Sequence, residues 1–246
     1  MQNHTKTFAD LSQRLNLSNF LTSLGVESAA DLSETLDHAH AGDVSLAPDA
    51  QPHLFGGSER ALGDPAQIFS HLSTPVIPYR RTTATDEWLE LVDNLKPFGV
   101  KGQVAGINAF VNNCAHPAEI AYLAKVRLWA KPALCFENTD GAVDVAMAKY
   151  VSLRRLDFHP DRLRLVWIRD ETDETDHTVL TVTFDGRVFV LDDRYSDIAT
   201  DEDYLDTQAV CSLNGMRLSL HWNPDADDGA KAALDRLAVR FGIGRA

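Results

Sequence analysis

Apolar residues recur at three- and four-residue steps through the first half of the chain and at alternate positions through much of the second half. Residues 9–24 bring Leu11, Leu15, Phe20 and Leu24 close to one helical face, and Gly25 comes next as a stop. A second short helix is predicted over 29–40. Residues 41–66, rich in proline and glycine, read as a loop or linker. A helical appendage is thus expected over 1–50 and the main domain over 51–246. Three helices are predicted next. The first, 84–95, carries Trp88, Leu91, Val92 and Leu95 at helical spacing; the others cover 101–114 and 117–129, where Pro117 suits a first helical position. A fourth, over 141–156, lines up Val143, Met147, Tyr150 and Leu153, with Thr139 or Asp140 as candidate caps.

The period then changes. Residues 162–170, 177–185 and 187–193 alternate as strands do, and Asp185-Gly186 is a hairpin signal between the last two. Residues 208–222 predict two more strands around Asn214-Gly215, and 228–241 predict a closing helix. Helices followed by antiparallel strands make an α+β fold.

Composition narrows the partners. Of 246 residues, 44% are hydrophobic and 24% charged, with a net charge of −13. Such a surface argues against a nucleic-acid groove or an anionic membrane as partner. It is compatible with a basic substrate and equally with an ordinary acidic globule. No stretch reaches the apolar length of a membrane-spanning helix, so no membrane insertion is expected. The start, MQNHTKTFADLSQRLNL, lacks the basic and apolar regions of a signal peptide; taken as native, it points to the cytoplasm. The three cysteines, Cys114, Cys135 and Cys211, have no metal-like spacing and predict buried or idle thiols.

A thiol-dependent acyl-transfer site needs a nucleophile at a helix N-terminus, a histidine base and a polar group to orient the imidazole. Ala142 stands where the fourth helix opens, His177 begins a strand and Asp192 ends the next. The Asp185-Gly186 turn would set those two strands side by side. The same residues also fit a rim or core histidine and an aspartate turn, and the residues alone leave both readings open. His38 and His40 fall on different helical faces, which disfavours a shared metal. The acidic runs 170–176 and 192–204 read either as solvated loops or as cation holders, and the first would favour a protonated His177. Residues 155–167, with alternating charges, read as an exposed turn and strand.

Seven segments in order resemble the bacterial transglutaminase-like cysteine proteinases: INAFVNN (107–113), LWAKP (128–132), DVAMAKYVSLRRL (144–156), HTVLTV (177–182), FVLDDR (189–194), AVCSLN (209–214) and LSLHW (218–222). HLFG (53–56) is similar to a segment seen just before that domain. The family includes periplasmic, calcium-dependent proteases that clip biofilm adhesins. The resemblance implies a papain- or transglutaminase-like fold, with helices packed on an antiparallel sheet. It places catalytic positions at Ala142, His177 and Asp192, a cleft lined by Trp129 and Asp144, and a periplasmic location. Where the family reads Gly-Asp-Cys-Glu-Asp, this chain reads Asp140-Gly141-Ala142-Val143-Asp144. The nucleophile position holds alanine. Gly141 and Val143 replace the acidic positions that the resemblance links to calcium, and only Asp144 is retained, so neither metal nor cofactor is expected. The expectation is a pseudoenzyme that binds a protein or peptide. Two alternatives stand beside it: a calcium-dependent peptidase whose cysteine has been replaced by Ala142 in this chain, and a scaffold that works through its N-terminal helices.

Overall fold

The computed structural model describes residues 54–64, 83–114, 117–123, 142–215 and 217–222. The helices expected over 9–24, 29–40 and 228–241, and with them the appendage over 1–50, lie outside the described residues, as do His38, His40, Trp129, Cys135, Thr139, Asp140 and Gly141.

The described residues form four helices: α1 (Thr83–Leu95), α2 (Val100–Asn112), α3 (Pro117–Leu123) and α4 (Ala142–Arg155). Seven strands accompany them: β1 (Ser58–Gly63), β2 (Leu163–Asp170), β3 (Asp176–Phe184), β4 (Arg187–Leu191), β5 (Ala199–Thr200), β6 (Thr207–Leu213) and β7 (Leu218–Trp222). They make one sheet in the order β1-β7-β6-β2-β3-β4-β5, antiparallel throughout. The fold is α+β, as the change of period predicts.

Alternation along the strands assigns the two faces. Leu163, Leu165, Leu180, Val182 and Leu191 join Trp88, Leu95, Ile107, Ile120, Met147 and Leu153 in the larger core, so this face packs on the helices. Val166, Ile168, Val179, Val188 and Val190 meet Leu54 in a smaller cluster on the other face. Each such aliphatic side chain contributes about 1.5–3 kcal/mol by leaving water. The β3–β4 turn matches its signal: Asp185 (φ 52°) and Gly186 (φ 71°) are both left-handed, as a tight hairpin of this hand requires.

Several expectations are corrected. The presumed linker contains β1, preceded by a 3-10 turn at Leu54–Gly56. SERALG has no β-branched residue, so its own pattern is weak. It is a strand because β7 pairs with it and because Glu59 meets Arg164 across the sheet at 2.8 Å. That pairing also overturns the exposed reading of 155–167: β2 lies between β3 and β6, and Leu163, Arg164, Leu165 and Val166 are all buried. The hairpin signalled at Asn214-Gly215 is present, joining β6 to β7. The chain closes over Asn214–Arg217, where Asn214 N–H donates to Arg217 O and Arg217 N–H donates to the Asn214 side chain. β4 stops at Leu191 rather than 193, because the Asp192 carboxylate accepts the Arg194 N–H at 2.9 Å and turns the chain.

Candidate functional site

Leu180 pairs with Leu191 across β3 and β4. Extending that register by one residue puts Asp192 opposite Val179, so His177 and Asp192 are diagonal neighbours on one face. Their side chains meet: His177 Nε2 lies 3.0 Å from Asp192 Oδ1. The Asp192 side chain is fully buried. It also accepts hydrogen bonds from the Arg194 backbone N–H, from Arg194 Nε and Nη2 (2.8 Å for the latter), and from the Tyr204 hydroxyl at 3.2 Å. Burial alone would raise the Asp192 pKa, but the hydrogen bonds from His177 and Arg194 outweigh it and hold the carboxyl far below its ordinary range. Burial, reinforced by the negative charge of Asp192, pushes the Tyr204 hydroxyl well above its usual value, so it stays a donor.

Asp193 crowds the same imidazole. Its Oδ1 lies 2.9 Å from His177 Nε2, yet it is buried without a hydrogen-bond partner among the described residues. One ring nitrogen carries one hydrogen, and that hydrogen points to Asp192. Asp193 therefore acts on the ring as a charge. Burial pulls the His177 pKa down; Asp192 and Asp193 overcome it and set the pKa above the ordinary histidine value. The acidic run at 170–176 is not the main cause. With Nε2 donating, the neutral ring carries its lone pair on Nδ1, which hydrogen-bonds to none of the described residues. A ring held in this tautomer can accept a proton at Nδ1.

Residues that sequence reasoning passed over hold this pair. Asn112 Nδ2 donates to the carbonyls of Asp192 (3.2 Å) and Tyr195 (3.1 Å), and Asn108 Nδ2 reaches Ser196 O at 3.5 Å, so α2 clamps the loop after β4. Both asparagines lie in INAFVNN, where the resemblance drew attention without giving them a task. On the far side, Phe55 packs edge-on against Tyr204 with ring centroids 5.8 Å apart, and its N–H donates to Asp201 Oδ2. Phe55 is itself left-handed (φ 52°), a backbone conformation with no local sequence signal. The run 192–204 therefore serves as internal bracing: Asp192 orients His177, Asp201 holds Phe55 and Asp203 caps Thr200. The run 170–176 is a surface hairpin turn stitched by its own Asp170 and Asp173 side chains.

Ala142 is the first residue of α4, and Asp144 lies in its first turn. Position 142 sits two turns before Lys149, on the same helical face and about 10 Å away along the axis. Lys149 Nζ donates to Leu191 O at 3.1 Å, which ties that face to the end of β4. Burial raises the Asp144 pKa, with no compensating cause. A half-buried carboxyl pushed toward its neutral form, beside a glycine and a valine, is a poor fit to the calcium set implied by the resemblance. His177, Asp192 and Asp193 bring three ligand-type atoms within 4.8 Å. The oxygens of Asp192 are already engaged by three residues, however, and the Arg194 guanidinium on that carboxylate opposes a cation. Of the cysteines, Cys211 is fully buried in β6 and Cys114 is half-buried just past α2. No helix of the described residues is long and apolar enough to cross a membrane.

No family model matches the chain, and no curated protein matches it. Among solved structures, the chain is similar to LapG from Legionella pneumophila. One LapG structure shares 20% identity at a TM-score of 0.42, over 74% of this chain and 99% of that one. The calcium-bound form shares 20% at 0.42, over 71% and 99%. The EGTA-treated form shares 20% at 0.45, over 74% and 100%.

Proposed function

We propose that this chain is a catalytically silent homologue of the transglutaminase-like cysteine proteinases, whose cleft binds a peptide or protein. The observation that carries the reading is the His177–Asp192 pair. Asp192 is buried and His177 half-buried, the pair is braced by Arg194, Tyr204 and Asn112 and held in the tautomer a general base requires, while the helix that would carry the nucleophile opens at Ala142. An imidazole so held would serve a thiol, and alanine has no group that attacks a carbonyl. What remains is a polar cleft that holds a peptide without cleaving it. The ordered motifs from INAFVNN to LSLHW support the same family reading, and by that resemblance the protein works in the periplasm.

The test has two arms. The wild-type protein should show no thiol-dependent peptide hydrolysis, and no cysteine should react unusually fast with iodoacetamide. The triple change Gly141→Asp, Ala142→Cys and Val143→Glu should yield calcium-dependent cleavage of a peptide library. Thiol-dependent turnover by the wild-type protein would refute the silent reading. A folded triple variant with neither activity nor a reactive thiol would refute the family frame.

A further inference from the structure

Lys149 is a lysine with no exposed surface, in the middle of an otherwise apolar stretch of α4. Lysine is among the residues least often fully buried, because removing an ammonium from water costs several kcal/mol. An apolar side chain of the same volume would pack here at no such cost, so packing alone does not account for it. Its amine donates to the carbonyl of Leu191, the last residue of β4. The next two residues are Asp192 and Asp193, the two carboxylates that crowd His177 Nε2 at 3.0 and 2.9 Å.

We propose that Lys149 is a positioning residue for His177, acting through β4: its amine tethers the Leu191 carbonyl and supplies a counter-charge to Asp192 and Asp193, so that its own protonation sets how strongly those carboxylates pull on the imidazole. The charged neighbours make the balance a close one. Asp192 and Asp193 bring two negative charges, Arg194 returns one positive charge on the Asp192 side, and the Tyr204 hydroxyl stays neutral. The balance of the cluster falls to His177 and Lys149. Among the described residues, no charged side chain from α1, α2, α3 or β2 acts on the Lys149 amine; the charges that do are Asp193 and then Asp192. Burial pushes Lys149 down to about 7 against the pull of those two carboxylates. The same two carboxylates thus act on the buried amine and on the ring, raising both against burial. None of this depends on what the cleft binds.

The experiment tracks individual titrations by NMR in the intact protein, using the His177 ring Cε1–H resonance and the Lys149 ε-methylene resonance under selective labelling. In the wild-type protein the Lys149 midpoint should fall near 7; a midpoint near the ordinary value of about 10.4 overturns the proposal. Asp193→Asn should move the Lys149 midpoint further down, since it removes the stronger counter-charge, and an unchanged midpoint overturns the proposal. Lys149→Met, checked for folding by near-ultraviolet circular dichroism, should raise the His177 midpoint by about half a unit or more, because the carboxylates then act on the ring without competition. A folded Lys149→Met protein with an unmoved His177 midpoint would show that the lysine is merely structural. The first two measurements decide the matter if that variant does not fold.

Discussion

Replacing Asp192 by asparagine tests the hub of the site at almost constant shape. Asparagine keeps one acceptor oxygen but turns the other into an amide that donates. In the folded protein, the fully buried carboxylate faces donors on every side: His177 Nε2, Arg194 N, Nε and Nη2, and the Tyr204 hydroxyl. An amide nitrogen therefore meets a donor whichever way it is turned. Breaking a buried charge pair commonly costs about 3–5 kcal/mol. The Arg194 side chain is 32% exposed and can turn to water, which trims the loss to about 2–4 kcal/mol. The pH dependence gives the sign. The folded-state pKa of Asp192 lies below its unfolded value, near 3.9, so the stabilisation is complete above that value and drains away as pH falls through the folded one. Urea unfolding at pH 7 should show the full gap between wild type and Asp192→Asn, and unfolding near pH 3 a smaller one. The His177 midpoint should fall, because burial remains while its main acceptor weakens. A gap under about 1 kcal/mol at pH 7, equal at pH 3, with an unmoved His177 midpoint, would refute the idea that this carboxylate organises the site.

Three further outcomes are expected from the same geometry. His177 has a raised folded-state pKa, so its stabilisation is present below about 6.5 and lost as pH rises through the folded value; thermal melts from pH 5.5 to 8.5 should show this slope in the wild type and not in His177→Gln. Gly106→Ala would place a Cβ 2.6 Å from Leu95 Cδ2 and 2.9 Å from its Cδ1, a clash expected to cost about 1–3 kcal/mol in denaturant unfolding, and much less when combined with Leu95→Ala. Glu59→Ala strands the Arg164 guanidinium, whose side chain is 7% exposed, and should cost about 3–5 kcal/mol; Glu59→Ala with Arg164→Met should recover most of that, and equal losses in the two proteins would count against a buried pair.

The site was legible in the chain only where chemistry is carried by unusual residue types at strand ends. His177 and Asp192 stand out because each interrupts a Val- and Leu-rich run, and Asp185-Gly186 announces how those runs fold back on each other. Lys149, Tyr204, Arg194 and Asn112 do not stand out. A lysine or arginine in a helix or loop is normally a solvated surface residue, and only tertiary packing turns it inward. Phe55 is further removed still, since its contact with Tyr204 joins distant parts of the chain and depends on a left-handed backbone.

By itself the sequence determined the periodic part of the fold: helices α1 to α4, the β2–β3–β4 meander and the closing strands, each declared by its own spacing of apolar side chains. It also determined that position 142 offers no nucleophile, which is a matter of chemistry and not of folding. Tertiary structure decided the rest. SERALG became a strand because β7 offered it a partner, and Arg164 became a core residue because Glu59 met it there. Lys149 came to lie against the carbonyl that leads into Asp192. The division has one physical cause. Periodicity is a local free-energy preference that each segment expresses alone, whereas the burial of a charge is tolerable only beside a partner that another segment brings.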